Sequence, residues 1–171
     1  MRKSYSYLIW IMPGGVVKRK FSRIINSLSK KYNSPRFVPH VTLLGSFEGI
    51  ETELIIKAEK YSKLIKPFEV NLTKVACLNE FFRSLFILVK KNKNVIKNHE
   101  IGRKLFGMPS KKYLPHLSLI YGNFDKKTKK VMIKAIGEKF NSKFKVNSIY
   151  LVRKDEVDTT WTIIKKLKLI I

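Results

Sequence analysis

Phe37-Val38-Pro39-His40-Val41-Thr42-Leu43 and Tyr113-Leu114-Pro115-His116-Leu117-Ser118-Leu119 are two copies of one pattern, aromatic-x-Pro-His-x-[Ser/Thr]-Leu, set 76 residues apart. The same displacement, without a gap, lays Ile9-Trp10-Ile11 on Leu85-Phe86-Ile87 and Phe68-Glu69-Val70-Asn71 on Phe144-Lys145-Val146-Asn147. Three segments sharing one offset predict a duplicated unit. Its two similar lobes would be related by an approximate twofold axis, each offering one His-x-hydroxyl strand. On a strand, residues i and i+2 share a face. His40 and Thr42 therefore point together, as do His116 and Ser118, while Val41, Leu43, Leu117 and Leu119 point the other way into a core.

Outward from these motifs the chain reads as alternating strands and helices. Residues 5–12 are aromatic and β-branched and end at Pro13-Gly14-Gly15, which predicts a mostly buried strand. Val17, Phe21, Ile24, Ile25, Leu28 and Tyr32 recur at helical spacing, closed by Asn33-Ser34-Pro35. A strand at 40–47, a helix at 51–65 stopped by Pro67, and strands at 68–78 and 84–90 follow. The grammar then repeats: a helix near 94–106, a strand at 115–121, a helix at 127–140, and strands at 144–153 and 160–169. Lys91-Asn92-Lys93 is too short to separate independent domains. The predicted class is α+β, one bilobal domain over residues 1–171. Two pseudo-symmetric lobes of largely antiparallel β-sheet, with outer helices, would line a central cleft.

Composition bounds the rest. The 171 residues are 44% apolar, with 11 Phe, 7 Tyr and 2 Trp, enough to bury a core, so disorder is excluded as the main reading. No stretch approaches the length of a membrane span, and the apolar run Tyr7–Met12 is too short and too aromatic for a signal sequence. A lone Cys77 forms no intramolecular disulfide and builds no cysteine zinc site. The expectation is a soluble, membrane-free, monomeric protein of the cytoplasm or nucleus. The net charge of +24 favours phosphate-bearing partners. Yet 29 of the 36 cations are Lys, and specific phosphate forks prefer Arg. A polyanion-binding surface, including RNA contact, and a merely solvated Lys-rich one both remain open. Residues 86–171 carry 21 cations against 6 anions and residues 1–85 carry 15 against 6, so neither half is a charged tail.

Two imidazoles and two hydroxyls converging on one cleft suit in-line displacement at phosphorus. One His, near its ordinary pKa of about 6.5, takes a proton from attacking water, and the other gives one to the departing ribose oxygen. The hydroxyls and backbone N–H groups hold the non-bridging oxygens. The scheme calls for no metal and no cofactor. A lone His-x-[Ser/Thr] is weak, since Ser and Thr are 20 of 171 residues and any His meets it roughly one time in eight. Two of only three His meet it here, both after Pro and three places before Leu, at the repeat's own offset. His99, in Asn98-His99-Glu100, lacks the pattern and reads as a surface residue. Phe37 and Tyr113 would flank the cleft mouth or pack the loops leading into it, and Lys111 and Lys112 are placed to attract phosphate or to be simply solvated. Trp161 opens the last strand, where it would stack on a base or close a strand end. Gly14-Gly15 lacks the spacing of a nucleotide-binding fingerprint.

Pro39–Phe47 and Tyr113–Gly122 resemble the paired signatures of the 2H phosphoesterase superfamily, and the second has the form found in plant and fungal cyclic nucleotide phosphodiesterases. The resemblance is sharp at these motifs and at Phe81–Val89, and the order of elements extends it over most of the chain. It implies that His40, Thr42, His116 and Ser118 are catalytic and that Tyr121 lies against the substrate's sugar or base. It implies hydrolysis of a cyclic phosphate, either a nucleoside 2′,3′-cyclic phosphate opened to the 2′-phosphate or ADP-ribose 1″,2″-cyclic phosphate. His116 would activate the water and His40 protonate the leaving group. Related branches trim RNA ends, cleave 2′,5′-linked oligoadenylate or ligate RNA. The absence of long insertions weighs against the larger RNA-end trimmers. The competing class is a non-catalytic basic RNA-binding module.

Overall fold

The computed structural model describes residues 4–158 and 160–170. The first amphipathic run folds as α1 (Gly15–Tyr32), burying Phe21, Ile25, Leu28 and Ser29, and stops at Asn33, whose left-handed backbone (φ 50°) caps it. It follows β1 (Tyr5–Ile11) and leads to β2 (Val41–Phe47). Glu51 and Glu53 sit in the first turn of α2 (Glu51–Leu64), where the helix dipole favours acids. Then come β3 (Phe68–Ala76), a single 3-10 turn at Phe81–Arg83, and β4 (Leu85–Val89). The Asn92 side chain accepts the Val95 N–H to open α3 (Lys93–Leu105), and Asp125 does the same for Thr128 to open α4 (Lys126–Ile136), on either side of β5 (His116–Ile120).

The last third departs from the sequence reading. Gly137, at φ 95°, ends α4 four residues before the expected boundary. Phe140, Phe144 and Val146 then alternate buried with exposed Lys and Asn, forming β6 (Lys139–Val146). The expected strand 144–153 is therefore two, since β7 (Ser148–Asp155) begins after Asn147, and β8 (Trp161–Lys168) completes the chain.

All eight strands join one sheet in the order β6-β3-β4-β5-β2-β1-β7-β8, and every pairing is antiparallel. The order is symmetric about the β5–β2 seam. Trp10 pairs with Thr42 as Phe86 pairs with Ser118, and Ile11 pairs with Val41 as Ile87 pairs with Leu117, each set displaced by 76. The fold class stands as read: α+β, antiparallel and bilobal. The third sequence coincidence is corrected. Residues 68–71 and 144–147 are not symmetry mates, because they pair with each other in one lobe (Phe68 with Val146, Val70 with Phe144). The strand in the place symmetric to β3 is β7. Strands are thus exchanged, β3 lying beside β4 while β7 lies beside β1. The helices cross as well, α1 packing on β5 and α3 on β2.

Candidate active site

β2 and β5 meet at one pairing, Val41 with Leu117, and then part. Continuing that antiparallel register sets His40 beside Ser118 and Thr42 beside His116, so the local twofold passes between the two motifs. Val41, Leu43, Leu117 and Leu119 are fully buried against the helices. On the opposite face, where the strands part, lies a cleft of about 480 Å³ lined by His40, Thr42, His116, Ser118, Tyr121 and Trp161. All six candidate site residues read from the sequence are therefore brought to one place.

The two rings are held alike. His40 Nδ1 lies 2.8 Å from the Val38 carbonyl and His116 Nδ1 lies 2.8 Å from the Leu114 carbonyl, each two residues back. With Nδ1–H donating to a carbonyl, the neutral ring keeps its lone pair on Nε2, the nitrogen left for the cleft. Each ring also rests on the aromatic that its neighbouring strand supplies. Trp10 stacks on His40 at 3.6 Å and 12°, while Phe86 is tilted against His116 at 4.9 Å and 56°. The Trp10 indole N–H is enclosed and has no hydrogen-bond partner among the described residues.

Burial makes the two imidazoles unequal. His40 is 7% exposed, and desolvation of its charged form pushes its pKa down to about 4. The Val38 carbonyl opposes that shift and the neighbouring His116 adds to it. His116 is half-buried and is also lowered, mainly by desolvation. The Leu114 carbonyl and Glu80 pull it back up, and Arg83 pushes it further down.

The hydroxyls and aromatics complete the walls. Ser118 Oγ donates to the Phe82 carbonyl at 3.1 Å, tying the second motif to the 3-10 turn. The Thr42 carbonyl accepts the Tyr113 hydroxyl at 2.9 Å. Tyr121, only 4% exposed, stacks on Phe37 at 3.9 Å, and burial raises its phenol pKa against a hydrogen bond with Ser118. Trp161 stands edge-on to Phe82 at 5.8 Å and lies 5.8 Å from Tyr121. Arg83, Lys112 and Lys154 bring positive charge to the cleft, with Glu80 opposing. Arg83 is ion-paired to Glu80 at 2.6 Å and Lys154 to Glu156 at 2.7 Å.

One expectation is overturned and two are made specific. His99 is not a surface residue: it is 8% exposed, donates from Nδ1 to the Leu43 carbonyl, and stacks on Tyr113 at 3.8 Å and 2°. Phe37 packs behind Tyr121 and edge-on to His40, inside the wall. Lys112 lines the cleft that holds both His-x-hydroxyl motifs, whereas Lys111 lines the adjoining cavity. Sequence reasoning missed Trp10, Phe82, Arg83 and Lys154. The repeat offset that equates Trp10 with Phe86, together with Phe81-Phe82-Arg83 at the start of the Phe81–Val89 segment, was the signal for three of them.

Among the described residues no group of three or more His, Cys, Asp or Glu side chains is gathered as metal ligands would be, and no helix is long and apolar enough to cross a membrane. Two histidines from symmetric Pro-His-x-hydroxyl strands thus line one cleft. The 2′-5′ RNA ligase superfamily profile matches residues 18–158, and the chain belongs to that family, the 2H phosphoesterases. A cyclic phosphodiesterase of Arabidopsis thaliana is 27% identical over 125 residues, 72% of this chain and 69% of the plant protein. Among solved structures, TT0787 of Thermus thermophilus has the same fold, with a TM-score of 0.68, 17% identity, and coverage of 96% of this chain and 97% of that one. Escherichia coli LigT, solved with 3′-AMP, superposes with a TM-score of 0.66 at 14% identity, over 96% and 98% of the two chains.

Proposed function

We propose that the protein hydrolyses a cyclic phosphate of the nucleoside 2′,3′-cyclic type, opening it to the 2′-phosphate by two-histidine acid–base catalysis. One observation carries the reading: symmetric strands meet at Val41 and Leu117 with both rings locked through Nδ1, so both Nε2 atoms serve one cleft. The family and the plant relative's name support a cyclic phosphodiesterase, and the nucleotide held by LigT supports a nucleotide-sized ligand.

In this mechanism a water oxygen attacks phosphorus in line with the ribose oxygen that leaves. One Nε2 takes the water's proton as the new P–O bond forms, and the other ring donates its Nε2 proton to the leaving oxygen as the old bond breaks. Thr42 and Ser118 stabilise the charge gathering on the non-bridging oxygens. The asymmetry of burial argues for roles opposite to those the resemblance implies. The deeper, desolvated His40 is the neutral base, and His116, more open to solvent, is the acid that the incoming phosphate anion helps to protonate. Tyr121 and Trp161 present aromatic surface to the sugar and base.

The test is turnover of 2′,3′-cyclic AMP in excess EDTA. Hydrolysis that survives chelation and collapses in His40→Ala and His116→Ala supports the enzyme; RNA binding without turnover supports a binding module instead. A substrate with sulfur in place of the leaving oxygen needs no acid. It should rescue His116→Ala and not His40→Ala, and the reverse pattern would restore the roles implied by the resemblance.

A further inference from the structure

The two hydroxyls of the cleft are held by different means. Ser118 Oγ is anchored by its own bond to the Phe82 carbonyl at 3.1 Å, whereas the Thr42 hydroxyl has no hydrogen-bond partner among the described residues. Its direction therefore depends on the backbone that carries it. That backbone is irregular. Ile9 pairs with Leu44 and Trp10 with Thr42, so Leu43 is an extra residue in β2 that no residue of β1 faces. On the other side, β5 pairs with β2 at Val41 alone. The segment just after His40 is thus loosely held by its neighbouring strands.

Two side chains from outside the sheet grip it instead. His99 Nδ1, on α3, donates to the Leu43 carbonyl at 2.8 Å, and the Tyr113 hydroxyl, on the approach to β5, donates to the Thr42 carbonyl at 2.9 Å. The two rings lie face to face at 3.8 Å and 2°, so each fixes the plane of the other. His99 is buried, and burial raises the pKa of the Tyr113 phenol, which keeps its proton and stays a donor. This brace is one-sided. The residues 76 places before Tyr113 and His99 are Phe37, which has no hydroxyl, and Arg23, which is exposed. The motif whose hydroxyl is tied directly has no brace, and the motif whose hydroxyl is untied has one.

We propose that His99 and Tyr113 are positioning residues for the reaction: gripping two successive carbonyls of β2, they hold Thr42 in the one rotamer that aims its hydroxyl at a non-bridging phosphate oxygen. The inference rests on the reading of Thr42 as a group that stabilises charge in the transition state, and it adds the part of the molecule that does the aiming.

Tyr113→Phe deletes the hydroxyl and keeps the stack. With 2′,3′-cyclic AMP, Tyr113→Phe and His99→Leu should each lower kcat about tenfold and change KM by less than about twofold, because a misaimed hydroxyl is missed only in the transition state. His99→Asn, whose amide N–H takes the place of Nδ1–H, should recover kcat to within about threefold of the natural protein. In a Thr42→Val background, Tyr113→Phe should cost less than about twofold, since the group it aims is gone. A merely structural role would lower kcat equally in both backgrounds, and that result, or a natural kcat in Tyr113→Phe, overturns the inference. Three-bond NMR couplings to the Thr42 methyl report its χ1 without any turnover. They should show one rotamer in the natural protein and averaging in Tyr113→Phe; a single rotamer in both overturns the brace. A natural kcat in Thr42→Val overturns instead the role given to Thr42. No turnover by the natural protein overturns the cyclic phosphodiesterase reading, and the couplings still decide the brace.

Discussion

Replacing His40 by Asn should flatten the dependence of stability on pH, because it removes a proton-binding group that the fold suppresses. In the unfolded chain His40 titrates near its ordinary pKa of about 6.5, and in the fold burial holds it down to about 4. Between these values the unfolded state binds more protons than the native one, so stability is fully present above pH 6.5 and is lost as pH falls toward 4. From pH 8 to pH 5.5 the loss is about 1.4 kcal/mol, and it reaches about 3.4 kcal/mol below pH 4. Keeping to pH 5.5 and above leaves most carboxylates ionised in both states. His116, lowered in the same direction, contributes equally to both proteins. Urea unfolding at pH 8 and pH 5.5 should therefore show the natural protein losing about 1.4 kcal/mol more than His40→Asn. Nitrogen-detected NMR should place the His40 titration near pH 4 with Nδ1 protonated in the neutral ring. Equal losses in the two proteins, or a midpoint near 6.5, would refute the claim that the ring is desolvated.

His40→Ala and His116→Ala should each lower kcat by about 10²–10⁴, with circular dichroism unchanged. Thr42→Val should lower kcat by about 10² with a smaller change in KM, as expected of a group that meets charge only in the transition state. Gly102→Val should cost about 1–3 kcal/mol in urea unfolding, because a Cβ there would lie 2.7 Å from Tyr61 Cζ and 2.8 Å from Leu44 Cδ1 inside the packed face of α3.

The parts of the molecule legible in the sequence were those where residue type and period agree. His40-Val41-Thr42-Leu43 and its copy alternate polar and apolar at strand period, so both the buried side and the chemical side could be read directly. What stayed hidden had a local pattern that pointed elsewhere. Residues 126–146 carry Lys every few positions throughout, and only Gly137 marks the change from helix to strand. His99 sits between Asn and Glu and so reads as exposed, but α3 buries Asn98, His99 and Gly102 with Val95, and His99 meets the Leu43 carbonyl of β2. Phe68–Asn71 and Phe144–Asn147 look like repeats because neighbouring strands that bury the same face of one sheet need the same alternation. Sequence cannot tell a symmetry mate from a hydrogen-bonded neighbour. The cleft aromatics Trp10 and Phe82 come from a central strand and a turn that composition alone does not distinguish from core.

The exchange of β3 for β7 makes the halves mutually dependent. A cut between residues 77 and 84 would leave the front fragment holding a strand that belongs to the rear lobe, and the rear fragment holding two that belong to the front. Neither piece would own a closed set of edges, and each exposed margin would be complementary to the other's. Co-expressed fragments should therefore reassemble as an interlocked pair, while either one alone would be a sticky, half-built sheet.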